Sequence, residues 1–212
     1  MNATFRRFLL ICLFEAALGV VAWLVGLLVG YSPLATLYWS WESLLWAALG
    51  TVPLIGGLLW LERSEAAPFV KIRRVIEEIL VPMFCGFALW QLAVVALLAG
   101  VGEEILFRGL IQGGLVSLLN FFKLPVATLL ALFLSSLSFG LLHPLTKTYA
   151  LLCMLAGLYL GGVWLWSDNL VVPILIHAFY DFFALVYLLS RQTPPPPALH
   201  QPSVAPMMDN PH

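Results

Sequence analysis

The sequence predicts an all-α, polytopic membrane protein, a transmembrane bundle of about seven spans around a membrane-buried polar cavity. Three observations carry that expectation. Hydrophobic residues fill 62% of the 212 positions and charged ones only 10%, against about a quarter charged in ordinary soluble domains. Mean hydropathy is +0.98, and the apolar runs are long enough to cross a bilayer. A few ionisable residues lie inside those runs at helical spacing, where composition alone would not put them. The net charge of −1 leaves no clustered basic surface, which argues against a nucleic-acid partner. Cys12, Cys85 and Cys153 lie far apart in apolar segments and read as core residues, neither a metal set nor a disulfide framework.

The elements follow in order. Arg6 and Arg7 precede the apolar run Phe8–Val29. It is longer than the ~7–15 residues of a signal-peptide core and many spans follow, so it reads as an uncleaved first helix. A polar, aromatic turn leads to a second span at Glu42–Leu61. The charged segment Glu62–Glu78 contains PFVKIRRVIEEI, whose apolar and charged positions alternate at helical spacing, as in an interfacial helix. From Leu80 to Asn120 the chain is almost continuously apolar. As one helix it would run roughly 60 Å, twice the ~30 Å hydrocarbon thickness. Gly100 and Gly102 offer a break, giving spans at Leu80–Ala99 and Val101–Asn120. Three more follow at Val126–His143, Tyr149–Trp166 and Leu170–Leu189, separated by Pro144 and by the polar residues after Trp166. Trp39, Trp41, Trp60, Trp164 and Trp166 suit an interfacial belt.

Three regions result: residues 1–78 with two helices and a charged loop, residues 79–191 as the functional bundle, and a proline-rich, disordered tail over 192–212. His200 and His212 fall in that tail. With the N-terminus cytoplasmic, Arg6, Arg7, Arg63, Lys71, Arg73, Arg74 and Lys123 lie inside, and Lys147 and Arg191 outside. That bias predicts a multi-pass protein of a bacterial-type inner membrane, with its cavity opening on the non-cytoplasmic face.

A charge at the bilayer centre costs about 2.5–3.5 kcal/mol on insertion scales, so such residues face protein and serve a purpose. The embedded candidates are Glu15, Glu103, Glu104, Arg108, His143, His177 and Asp181, with Gln91 and Asn120 as milder cases. Residues four apart on a helix share a face, whereas adjacent ones point about 100° apart. Glu104 and Arg108 therefore pair, and Glu103 is left free for something across the bundle. Phe139 and His143 share one face of a later helix, and His177 and Asp181 share one face of the last. A carboxylate in a poorly solvated pocket suits general-base work on water, and a histidine can share the proton or donate to an oxyanion. Glu15, taken alone, reads as a helix-packing or interfacial residue.

Taken together, Glu103-Glu104-Ile-Leu-Phe-Arg108, Phe139-Gly-Leu-Leu-His143 and His177-Ala-Phe-Tyr-Asp181 resemble the signature of the CPBP family of intramembrane proteases (CAAX proteases and bacteriocin-processing enzymes, also called Abi). In that pattern Glu-Glu-x-x-x-Arg, Phe-x-x-x-His and His-x-x-x-Asn/Asp each occupy their own transmembrane helix. The resemblance covers about residues 80–190. It implies peptide-bond hydrolysis in a membrane-associated protein or peptide substrate. Glu103 and His143 would activate water, His177 and Asp181 would serve the oxyanion, and Arg108 would hold Glu104. An ionised Asp181 can only accept hydrogen bonds, so the expectation is that it orients His177. Glu103, His143 and His177 would also make a zinc set with an open position. No His-Glu-x-x-His motif is present, and a mechanism without a cofactor is the first expectation. A proton-coupled transporter and a non-catalytic immunity or scaffold protein are the alternatives.

Overall fold

The computed structural model describes residues 2–191, and every described element is helical. The tail over 192–212, with His200 and His212, lies outside the described residues. Helix α1 spans Ala3–Leu28, α2 Trp41–Arg63, and α3 Ala67–Val75, which continues through a π-helical turn, π1 (Ile76–Leu80), into α4 (Val81–Phe84). A second continuous rod joins α5 (Leu89–Glu104), π2 (Ile105–Gln112) and α6 (Gly113–Phe121). Then come α7 (Ala127–Leu141), α8 (Lys147–Ser167) and α9 (Val171–Ser190). These make seven helical rods among the described residues. Of them α1, α2, α8 and α9 are each long and apolar enough to cross a membrane, and the bent pair Ala67–Phe84 and Leu89–Phe121 supplies a further candidate. The protein is a multi-pass helical membrane bundle.

The long apolar stretch divides elsewhere than Gly100 and Gly102. The chain turns by 111° between Phe84 and Leu89, where Gly86 takes a φ of +83°, a left-handed conformation that glycine adopts without steric cost. Past that corner the helix runs unbroken through both predicted hinge glycines. Their purpose is close approach. A side-chain carbon on Gly100 would lie 2.7 Å from the Ile174 carbonyl oxygen of α9, and one on Gly102 would strike the Glu15 carbonyl of α1. Without a hydrophobic drive between helices in lipid, small residues that let backbones meet carry the packing.

Several polar contacts gather one end of the bundle. Arg7 at the start of α1 donates to the Pro82 and Cys85 carbonyls at 2.5 and 3.1 Å. Arg73 of α3 donates to the Leu61 and Ser64 carbonyls at 2.7 and 2.8 Å, closing the end of α2. Arg191 after α9 pairs with Glu62 of α2. Ile72, Ile76 and Val81 pack with Leu61, Tyr149, Leu152, Leu188 and Leu189, so α3–α4 lies across this end as a cap. At the opposite end, Trp164 and Leu170 both bond to Thr36 in the α1–α2 loop, at 2.9 Å each. Trp164 is thus buried and structural, not part of an interfacial belt. Cys85 is exposed at the α4–α5 corner, not in the core.

This arrangement redistributes the cations. Arg6, Arg7, Arg63, Lys71, Arg73, Arg74, Lys147 and Arg191 belong to the capped end, and Lys123 alone belongs to the other, leaving Arg108 buried. Lys147 and Arg191 move to the side of the N-terminal arginines because α3–α4 caps the bundle and leaves the crossing to the longer rods.

Candidate active site

The site forms where α5, π2, α7 and α9 meet. Because α5 begins at Leu89, Glu103 lies about 21 Å along it at 1.5 Å per residue. His177 lies about 20 Å back from the end of α9 on the same measure. The two therefore reach one depth from the capped end, a match the predicted break at Gly100 would have prevented. Helix α7 has 15 residues, roughly 22 Å, so it stops short and His143 hangs from its end inside the bundle.

Glu104 and Arg108 are sealed, with 0% and 1% of their side chains exposed, and Arg108 Nη1 donates to Glu104 Oε1 at 2.5 Å. The same carboxylate oxygen takes His177 Nδ1 at 2.8 Å. Arg108 Nη2 also donates to the Gly157 carbonyl of α8 at 3.1 Å, and its guanidinium stands 4.8 Å from the Phe139 ring centroid. One turn on, Gln112 donates to the Gly161 carbonyl at 3.2 Å. Glu104, Arg108 and Gln112 thus form one polar stripe down the rod. Its register is shifted by π2, a feature that often marks functional sites because it re-aims side chains and frees carbonyls. Here the Phe107 carbonyl accepts from Ser135 of α7 at 2.8 Å.

Glu103 faces the other way. Its Oε2 stands 3.8 Å from His143 Nε2, with 13% of the Glu103 and 27% of the His143 side chain exposed. Glu103 Oε2 has no hydrogen-bond partner. His143 Nδ1 lies 2.7 Å from the Phe139 carbonyl, which can only accept, so Nδ1 carries a proton and, in the neutral ring, Nε2 is a bare acceptor. With that ring neutral and Glu103 ionised, two acceptors confront each other. His177 Nε2, in turn, looks toward Asp181 Oδ2 at 3.5 Å. Phe139 is the wedge between the histidines, its ring centroid 4.6 Å from that of His143 and 6.0 Å from that of His177.

Glu103, His143, His177 and Asp181 come together, with Glu104, Arg108 and Phe139 behind them. The structure differs from expectation on what orients His177. Glu104, 73 positions away in the chain, takes its Nδ1 at hydrogen-bond distance, and Asp181 stands farther off. No local spacing could reveal that partner. Gln112, four residues past Arg108, was visible at helical spacing and was missed; Ser135, Gly157 and Gly161 carry no such signal. Gln91 caps α5 by accepting from the Ala88 N–H at 2.9 Å. Among the described residues no group of three or more His, Cys, Asp or Glu side chains is arranged to hold a metal ion. The donor set explains it: His177 has one nitrogen committed to Glu104 and the other turned to Asp181, so it does not join Glu103 and His143 as a third ligand. A separate cavity of about 280 Å³ lies between α1 and α5, and no acid or histidine lines it.

The model of the Rce1-like family, described as type II CAAX prenyl endopeptidase, matches residues 85–183. That segment is similar to this family. It begins at the α4–α5 corner and ends two residues past Asp181, so it takes in all three motifs and leaves out α1 and α2. No curated protein and no solved structure matches the chain. The match is thus a likeness to a family of CAAX-type proteases over slightly less than half of the chain.

Proposed function

We propose that the chain is an intramembrane endopeptidase in which Glu103 and His143 activate a water molecule. The observation that carries this reading is the 3.8 Å gap between Glu103 Oε2 and the proton-free His143 Nε2. A water has two O–H groups to give, one to each acceptor, and its lone pairs then point away from both, toward a substrate carbonyl. In the first step Glu103 takes one water proton as the oxygen bonds to the carbonyl carbon. The carbonyl π pair moves onto oxygen as an oxyanion. In the second step that pair returns, the C–N bond breaks, and Glu103 gives the proton to the departing amine. His177, held by Glu104 on Nδ1, meets both flanking carboxylates as a donor only in its imidazolium form, and its Nε2–H then serves the oxyanion. Arg108 and Phe139 hold this frame. No step in this reading is routed through a metal.

The capped end supports a second part of the reading. Eight exterior cations there against one at the other end support a topology with the capped end, and both ends of the described chain, on the cytoplasmic side. On this reading the site opens toward that side, through His143 and Asp181, its more exposed members at 27% and 31%, opposite to the expectation from the sequence alone.

The test is cleavage by the purified protein in nanodiscs of a quenched fluorescent, prenylated peptide ending in a CAAX box. A comparison of membrane proteomes with and without the protein would supply further peptides. Glu103→Gln is expected to lower kcat/KM by about 10²–10⁴-fold with unchanged folding; wild-type turnover by this variant would sink the mechanism.

A further inference from the structure

One buried acid remains outside the machinery described above: Glu15, on a helix beyond the Rce1-like segment. It is the thirteenth of the 26 residues of α1, halfway down a membrane-length helix and so where a lipid-facing charge is least tolerated. Its neighbours Leu13, Phe14, Ala16 and Ala17 are exposed, whereas Glu15 is half-buried. Its Oε2 is shielded and has no hydrogen-bond partner. Glu15, Gly19, Ala22 and Gly26 recur on one face, the face that buries Ala22 and Gly26.

The crossing of α1 over α5 brings Glu15 beside the site. A side-chain carbon on Gly102 would collide with the Glu15 carbonyl, and one on Gly19 would lie 3.4 Å from the Gly102 Cα. The two backbones therefore touch one residue before Glu103. From there the Glu15 carboxylate is within electrostatic reach of Asp181 and His177, and of Glu103.

We propose that Glu15 binds substrate, its carboxylate accepting a hydrogen bond from a backbone N–H of the peptide beside the scissile bond. This assignment rests on the endopeptidase reading. A peptide entering a site inside lipid must pair its N–H groups, because an unpaired one costs several kcal/mol in hydrocarbon. Proteins that take an extended peptide usually offer a strand edge, and among the described residues there is no strand. Most helix carbonyls are spent within their own helices, and those of Phe107, Phe139, Gly157 and Gly161 already take side-chain donors, so an unpartnered side-chain acceptor is the readier source. Glu104 ties its Oε1 to Arg108 and His177, and its unpartnered Oε2 belongs to a side chain with no exposure; Asp181 faces His177, and Glu103 with His143 faces the water. Glu15 is the half-buried acid outside these pairs that has an unpartnered acceptor.

The experiment measures kcat and KM separately for the prenylated CAAX peptide and for analogues in which each peptide N–H near the cut is replaced in turn by an ester oxygen. Glu15→Gln keeps an acceptor oxygen and is expected within about threefold of wild type. Glu15→Ala loses it, and KM is expected to rise at least about tenfold with kcat near wild type. One ester position should cost the wild type a similar factor and cost Glu15→Ala nothing further. An unchanged KM in Glu15→Ala, or ester effects that simply add to the mutation, would overturn the assignment. So would a Glu15→Gln as weak as Glu15→Ala, which would point to recognition of a cationic side chain. Should Glu15→Ala fail to fold, the ester series on the wild type decides, and the absence of any sensitive position overturns the proposal. Wild-type protein that shows no Glu103-dependent cleavage would bring down the endopeptidase reading itself, and this assignment with it.

Discussion

Helices α1 and α9 are both membrane-length and apolar, yet they do opposite jobs. In α1 the buried residues are Phe8, Ala22 and Gly26, and large side chains from Leu10 to Leu28 lie exposed. In α9 Val172, Pro173, Ile174, Ile176, His177 and Ala178 are all buried. Hydrophobicity does not separate them, because lipid is as apolar as the protein interior. Small residues and polar groups do: glycine and alanine mark where backbones touch, and an ionisable residue marks where a helix turns away from lipid. The contrast teaches that such a bundle is held at its contacts by shape and buried polarity.

That contrast can be broken most sharply at the polar stripe. Arg108→Met would leave Glu104 and His177 without their sealed cation, and about 3–5 kcal/mol of destabilisation is expected, read as a lowered Tm in detergent. Adding Glu104→Gln should recover part of the loss, because the stranded carboxylate is then removed; no recovery would mean that packing, not charge, carries the effect. Next in size is the close approach of helices. Gly100→Leu forces α5 off the Ile174 carbonyl and Ala178, with about 1–3 kcal/mol lost and with activity reduced because Glu103 moves. The same change at Gly56 of α2, where a side-chain carbon would meet nothing within 4 Å, should leave both stability and activity untouched. Least of all, Leu13→Ala on the lipid face of α1 should change stability by less than about 0.5 kcal/mol; a larger loss would show that this face meets another protein.

The sequence made the helix count, the positions of α1, α2, α7, α8 and α9 and the three polar motifs legible, because each depends on composition and on spacing within one helix. It misdirected at Gly100 and Gly102, since a glycine that breaks a helix and a glycine that lets two helices touch are the same letter. The true corner at Gly86 was hidden beside Pro82 and Cys85 in a run just as apolar. The bond from Glu104 to His177 was out of reach because it joins positions 73 apart. The cations were miscounted for a related reason: whether α3–α4 crosses or caps the bundle depends on its packing against Leu61, Tyr149 and Leu188, which no local pattern encodes.

The shortness of α7 has a consequence for any substrate. At roughly 22 Å it falls about 8 Å short of the ~30 Å apolar slab, and lipid beside it adjusts by thinning. A transmembrane segment drifting to this rim finds its final turn drawn out of oil and into the headgroup zone. There water competes for the backbone bonds of that turn and loosens it. On the proposed endopeptidase reading, a substrate helix would reach the site with that turn already loosened.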